Sequence, residues 1–300
     1  MQLARLFAVN SNHQAMASFT EVSIKSSDIL ALRAKYSDAN VLKMKETFHN
    51  IDDDTIARFL IARNNDISKA TELLTANIQW RAANVPVTKA SCITEIKKGK
   101  LYHYGYDKEN HPLLVYTTTK HFNNDRDIDE VVRMATWWIE KLVKELPSDK
   151  TKYTLLIDRT GQTNENSDVE LVRAVGKILQ DNYPERLYRC IVYPSGLVFW
   201  SLWNIIKWFL DPVTQAKVQP MMYFSGVQEF INDEYIPKNM GGKSEFEFTD
   251  EFAEGLTDPE PVATDVPVSS ITDAVASVSI DASTDPVPVP ETNDNATTSE

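Results

Sequence analysis

The sequence predicts an α/β fold: a small all-helical N-terminal part, then a mainly parallel sheet with helices packed around it. Two observations predict the sheet. Tyr153 to Ile157 reads as an apolar run interrupted only by Thr154, the mark of a strand covered on both faces, and Leu187 to Val192, apolar but for Arg189, as the next buried strand. They alternate with stretches whose apolar residues recur at helical spacing. A third observation sets the boundary, since the pattern is helical up to Pro86 and a strand-like period appears after Gly99. Strand, helix and strand repeated in one sheet imply right-handed crossovers.

In chain order, residues 1–20 read as an unstructured lead-in, whose apolar patch Leu6 to Val9 is too short for a secretory leader. From Glu21 to Phe48 the helical pattern is weakly periodic. Asp52, Asp53 and Asp54 then offer an N-cap and acidic first turn for a helix from Thr55 to Arg63. Asp66 caps the next, in which Ile67, Ala70, Leu73, Leu74 and Ile78 share a face. Residues 21–90 make up this helical part. Leu101 to Tyr106 and Pro112 to Thr119 read as strands joined by the polar turn Asp107 to Asn110. A long helix follows, with Ile128, Val131, Ala135, Trp138, Ile139 and Leu142 on one side. Gly161 ends the strand begun at Tyr153, and Val169, Val172, Val175 and Leu179 carry another helix. Met221 to Phe224 reads as the last strand, and residues 91–257 form this second domain.

At 300 residues and 42% hydrophobic content, the chain has ample core to fold without staples. Residues 250–300 hold 12 acids and no Lys or Arg, leaving 31 acids against 31 bases before them. The net charge of −12 therefore belongs to a tail. Residues 258–300, rich in Pro, Ser, Thr, Ala and Val, read as disordered. Their acidity excludes a charge-driven nucleic-acid binder. Cys92 and Cys190 are too few for a disulfide scaffold or zinc site, and no span is long enough to cross a bilayer. A monomer in the cytoplasm is expected.

Catalytic signals are absent. No nucleophile elbow or dinucleotide fingerprint occurs. Gly242-Lys243-Ser244 mimics the end of a phosphate loop, but the position that needs the upstream glycine is Pro237. The five histidines (His13, His49, His103, His111, His121) lack metal-ligand spacing. Asp158, at the end of a buried strand, reads as a turn or cap residue. A non-enzymatic protein without cofactor or metal is expected.

The segment Asn182 to Lys217 organises the rest. Its helix, from about Leu197 to Leu210, places Val198, Leu202, Ile205 and Phe209 on one side and Leu197, Trp200 and Trp208 on the other. A helix apolar nearly all round is buried or meets lipid, and at roughly 14 residues it is too short to span a bilayer. Both a core helix and a membrane-surface helix fit, the latter because Trp and Phe stand beside Lys207.

Four blocks decide between them: Arg58-Phe59-Leu60-Ile61-Ala62-Arg63, Asn182-Tyr183-Pro184-Glu185-Arg186, Phe209-Leu210-Asp211-Pro212-Val213-Thr214 with Lys217, and Met240-Gly241-Gly242-Lys243-Ser244-Glu245. In order and spacing, over roughly residues 50–250, the chain resembles the CRAL-TRIO proteins, and within them the fungal-type phosphatidylinositol transfer branch. The resemblance implies one lipid held in a cavity under a mobile gate helix, here Gly196 to Leu210, with Phe199, Trp200, Trp203, Ile206, Trp208 and Phe209 as its apolar residues. It implies a phosphatidylinositol headgroup site at Arg63, Glu185, Thr214 and Lys217. It further implies exchange of phosphatidylinositol for a second apolar lipid, transient peripheral contact with membranes, and presentation of phosphatidylinositol to kinases. One departure matters: the branch that also carries phosphatidylcholine has Ser and Thr where this chain has Tyr153 and Leu155, which disfavours phosphatidylcholine as the second ligand.

The chemistry suits that assignment. A buried phosphodiester needs cations in place of water; Arg63 offers a planar fork and Lys217 a point charge. Thr214 can donate to a phosphate oxygen, and Glu185 can accept from inositol hydroxyls while orienting a neighbouring base. A different class of function, a lipid-regulated adaptor recruiting partners through its acidic tail, is also compatible with the sequence.

Overall fold

The computed structural model describes residues 27–259; the readings of residues 1–26 and 260–300 as lead-in and tail lie outside the described residues. The weakly periodic segment before Phe48 resolves into two helices, α1 (Ser27–Arg33) and α2 (Asp38–Thr47), followed by α3 (Asp53–Ile61) and α4 (Ile67–Asn84). The two aspartate caps form as their chemistry requires: Asp52 accepts from the Thr55 N–H at 2.8 Å and Asp66 from that of Lys69 at 3.0 Å. Leu32, Met44, Ile56, Leu60 and Leu74 give these helices a core of their own.

After the short α5 (Ile93–Lys97), five strands form one sheet in the order β1 (Leu101–Tyr106), β2 (Pro112–Thr117), β3 (Tyr153–Asp158), β4 (Leu187–Tyr193) and β5 (Val218–Pro220). The β1–β2 hairpin is antiparallel and the remaining pairings are parallel. Helices α6 (Ile128–Lys144), α7 (Val169–Asn182), α8 (Leu197–Ile206) and α9 (Pro212–Lys217) fill the crossovers, and α10 (Phe224–Phe230) and α11 (Asp250–Gly255) follow β5. The predicted last strand is displaced. Pairing uses Val218 to Pro220, where polar Gln219 hides the strand signal, while Met221 to Phe224 leaves the sheet and Phe224 opens α10. A four-residue apolar run has no period that separates a strand from a strand exit.

The β3–β4 register puts Leu155 and Ile157 beside Cys190 and Val192 on one face, and Leu156 beside Ile191 on the other. Leu156 and Ile191 are fully buried in the main core, together with Trp137 and Trp138 of α6. The C-terminal blocks close that core tightly. At Gly242 a Cβ would stand 2.0 Å from the Ile236 carbonyl oxygen, so the glycine is demanded by backbone contact and not by a phosphate.

Polar contacts join the helical part to the sheet. Arg81 of α4 forks onto Glu140 of α6 at 2.7 and 3.1 Å, and Tyr183 donates to the same carboxylate at 2.6 Å. Asp28 of α1 reaches His111, whose Nε2 lies 3.2 Å from it while Nδ1 lies 3.3 Å from Asp107. A carboxylate at each nitrogen favours the imidazolium form of His111. Burial alone lowers its pKa, but Asp107 and Asp28 outweigh burial and carry it above the ordinary 6.5. A raised folded-state value means that the stabilisation is complete below the unfolded-state value and disappears as pH climbs through the folded one. Thermal midpoints measured from about pH 6 to about pH 9 should therefore fall with rising pH, and His111→Gln should flatten that slope; equal slopes in parent and variant would contradict the assignment.

Candidate lipid site

The candidate headgroup residues gather at the N-terminal edge of the parallel sheet. Lys152, Glu185 and Lys217 stand just ahead of β3, β4 and β5, three neighbouring strands. Glu185 adopts φ 56°, a left-handed conformation that costs a non-glycine residue roughly 1–2 kcal/mol. The strained turn holds its carboxylate between two ammonium groups: Lys217 Nζ is 3.4 Å from Oε1 and Lys152 Nζ is 3.5 Å from Oε2. The side chains are 6% (Glu185), 10% (Lys152) and 18% (Lys217) exposed, so two cations share one anion largely out of water. Oε2 makes no hydrogen bond, and both ion pairs are longer than the roughly 2.7–2.9 Å of a tight charge-assisted bond. Burial raises the Glu185 carboxyl, but Lys217, Lys152 and Lys35 outweigh it and hold the group below the ordinary glutamate value. For Lys217, burial is the larger influence and lowers its ammonium, with Glu185 opposing. The buried set carries one positive charge more than it neutralises, the complement of a single phosphodiester.

The other two predicted residues are placed differently. Thr214 lies on α9 with Lys217, but its hydroxyl donates to Asp211 at 2.6 Å and its N–H to the same carboxylate at 2.9 Å, which caps the helix. Donation to a phosphate would require the hydroxyl to turn away from Asp211. Arg63 lies within the turn 62–65 that follows α3, half-buried, with Nη1 donating to the Ala62 carbonyl at 3.0 Å. The structure does not bring it into contact with Glu185 or Lys217. The turn that carries it is tied to the first helix–helix connection, where Asn65 donates to the Lys35 carbonyl at 3.0 Å.

Helix α8 starts at the opposite edge of the sheet and runs back over it, about 15 Å for its ten residues, before α9 returns the chain to the headgroup cluster. It ends at Ile206, four residues earlier than the sequence suggested, because Lys207–Phe209 tighten into a 3₁₀ turn. Its two sides also sort differently. Phe199 is buried against Cys190 and Val192, with Trp203 stacked on it at 5.9 Å, whereas Ile205 joins Leu197, Trp200 and Trp208 among the exposed residues. Ile206 and Phe209 are half-buried. The packing beneath α8 is loose: Leu155, Ile157, Leu187, Trp203 and Val218 all remain partly exposed, although Leu155 and Ile157 belong to the central strand. On α7, Val172, Val175, Ile178 and Leu179 are likewise half-buried. These apolar side chains are incompletely covered by the helices packed over the sheet, unlike a close-packed interior.

Both ends of this strap are pinned. Gln180 of α7 donates to the Phe209 carbonyl at 3.1 Å and accepts the Asp211 N–H at 2.7 Å, while Gln215 donates to the Lys207 and Leu210 carbonyls at 2.8 Å each. At the start, Arg159 donates to the Pro194 carbonyl at 3.0 Å and Ser195 N–H to that of Met221 at 2.8 Å. A separate cleft of about 290 Å³, bordered by Trp80, Pro86, Val132, Arg133 and Ile178, includes none of the predicted headgroup or gate residues.

A family model of the CRAL/TRIO domain matches residues 96–242, which hold the sheet and the strap and end at Gly242. The chain carries a CRAL/TRIO domain. Over 210 residues it is 28% identical to a CRAL-TRIO domain-containing protein of Schizosaccharomyces pombe, covering 66% of this chain and 47% of that protein. It is also 28% identical to the phosphatidylinositol transfer protein CSR1 of Eremothecium gossypii (65% of this chain, 48% of that one). To the phosphatidylinositol/phosphatidylcholine transfer protein SFH12 of Arabidopsis thaliana it is 29% identical (62% and 38%). The chain thus spans about half the length of these curated relatives, or less. The crystal structure of Sfh5 superposes with a TM-score of 0.54 at 18% identity, over 82% of this chain and 84% of that one, a likeness of fold.

Within this CRAL/TRIO domain Asp158 and His121 are engaged by neighbouring groups of the fold. Asp158 accepts from Thr160 N–H and from Asn239, and His121 sits buried between Lys100 at 3.0 Å and Asp168 at 3.1 Å. No metal-ligand group is present among the described residues. The residues missed from the sequence are Lys152 and Lys35. Lys152 carried a readable signal, a charge directly before a buried strand, as in Lys217; Lys35 did not. If the Gln180 clamp holds the gate, Gln180→Ala should raise backbone hydrogen exchange in residues 207–211 by about tenfold or more, and unchanged exchange would show the clamp to be idle.

Proposed function

We propose that this chain is a phosphatidylinositol carrier: a headgroup site at Lys152, Glu185, Lys217, Thr214 and Arg63, with acyl chains under α8. The observation that carries it is the buried lysine pair sharing one carboxylate, at the end of loosely packed apolar space. Relatives named for phosphatidylinositol transfer support the same reading. In this reading residues 21–90 form a helical partner to a lipid-binding domain of residues 91–257, and the unit works as a monomer without catalysis.

The energetics explain the gate. At about 0.8 kcal/mol per buried CH₂, two chains of roughly 30 methylenes together would cost more than about 20 kcal/mol to expose. No headgroup contact offsets that, so the lipid passes between bilayer and protein without meeting water. An aromatic strap that can lie in the headgroup layer opens such a path. Both environments are apolar, and exchange against a second apolar lipid needs no ATP. The same exposure step would offer phosphatidylinositol to a kinase at the membrane.

The test is transfer of labelled phosphatidylinositol between vesicles. Lys217→Ala, Lys152→Ala and Arg63→Ala should each slow it by about tenfold or more, because each leaves a buried anion short of a cation, with thermal unfolding close to the parent's. Undiminished transfer in all three would remove the headgroup assignment.

A further inference from the structure

The strap is not the whole of the exposed apolar surface. Of the large apolar side chains left exposed among the described residues, all but Leu42 and Phe122 fall between positions 197 and 223. Leu197, Trp200, Ile205 and Trp208 belong to the strap. Met222 and Tyr223, 57% and 72% exposed, do not.

These two belong to the stationary body. Met221 N–H donates to the Val192 carbonyl at 2.8 Å, and the Met221 carbonyl accepts the Ser195 N–H, also at 2.8 Å. Tyr223 precedes α10, which is anchored by the fully buried Val227. The pair is therefore fastened to the end of β4, on the near side of Ser195-Gly196, while Leu197 begins the strap on the far side. At Gly196 a Cβ would meet nothing within 4 Å, so the joint between the two sides is open.

Acidic side chains are scarce along this stretch of a body in which acids and bases otherwise balance. Between Cys190 and Gln228 the one acid is Asp211, and its carboxylate is engaged by Thr214. Of the two cations in that stretch, Lys217 is largely buried in the headgroup cluster and Lys207 is half-buried at the end of the strap. Exposed Trp, Tyr, Met and Leu side chains with no free carboxylate among them in the stretch are a composition that partitions into the headgroup layer of a bilayer.

We propose that Met222 and Tyr223 form a fixed membrane anchor, which enters the boundary between headgroups and acyl chains and keeps the mouth of the site against the bilayer while α8 moves. The proposal rests on the carrier reading. A strap that is the sole contact would lose its hold on the membrane as it swings, whereas an anchor on the other side of the joint does not.

The experiment compares the full chain with the double variant Met222→Glu/Tyr223→Glu, using vesicles of phosphatidylcholine containing phosphatidylinositol. Co-sedimentation and vesicle-to-vesicle transfer should both fall by about tenfold or more. Loading of phosphatidylinositol from detergent dispersion, read by native mass spectrometry, should match the parent and so report an intact fold and site. Met222→Leu/Tyr223→Phe, which keeps the apolar surface, should bind vesicles like the parent. A parent that loads lipid while the acidic variant co-sediments equally well overturns the anchor alone. A parent that loads no lipid overturns the carrier reading and the anchor with it.

Discussion

One carboxylate holds two ammonium groups at the N-terminal edge of the sheet, and the account of this protein depends on that sharing. Removing ions from water costs several kcal/mol each unless partners replace the solvent. Glu185 repays part of that cost for Lys152 and Lys217, at ion-pair distances too long to satisfy either fully. A bound phosphodiester would complete the balance, converting a two-to-one arrangement into a neutral one. The left-handed backbone of Glu185 is consistent with a residue kept in place for what it orients.

The parallel sheet makes this arrangement possible by carrying three successive strand starts to one edge. It also separates two tasks. Charge collects at the N-terminal ends of β3, β4 and β5, whereas the strap begins near the C-terminal end of β4 and crosses the face between. Its inner side, led by Phe199 and Trp203, covers half-buried residues of the central strands, and its outer side offers Leu197 and Trp208 to the surroundings. An apolar helix with both sides in use suits a door between two apolar media. Hydrogen bonds from Gln180, Gln215 and Arg159 hold its ends, and few polar contacts hold its middle.

Most of the fold was legible because periodicity reports burial. The runs at Tyr153 and Leu187 and the aspartate caps at Asp52 and Asp66 became the elements they announced. The exceptions have physical causes. Three-residue β5 is too short to show a period, and its polar Gln219 masks it. Which side of α8 faces the protein was not legible, because an apolar residue on an all-apolar helix carries no information about direction. At the site, Glu185 and Lys217 could be paired by family resemblance, and Lys152 carried the same signal as Lys217, a charge directly before a buried strand, whereas Lys35 is brought in only by folding. General expectation also points to the C-terminal ends of parallel strands, and here the charges lie at the other ends. Asp158, the residue that expectation favours, is spent on Thr160 and Asn239.

The central claim is that the space under α8 is built for one inositol phospholipid. Native mass spectrometry of the full chain, after incubation with mixed vesicles and separation from them, tests it most directly. The account predicts a one-to-one complex with phosphatidylinositol that persists after separation. A chain recovered free of lipid, or carrying phospholipids in proportion to their abundance in the vesicles, would contradict it.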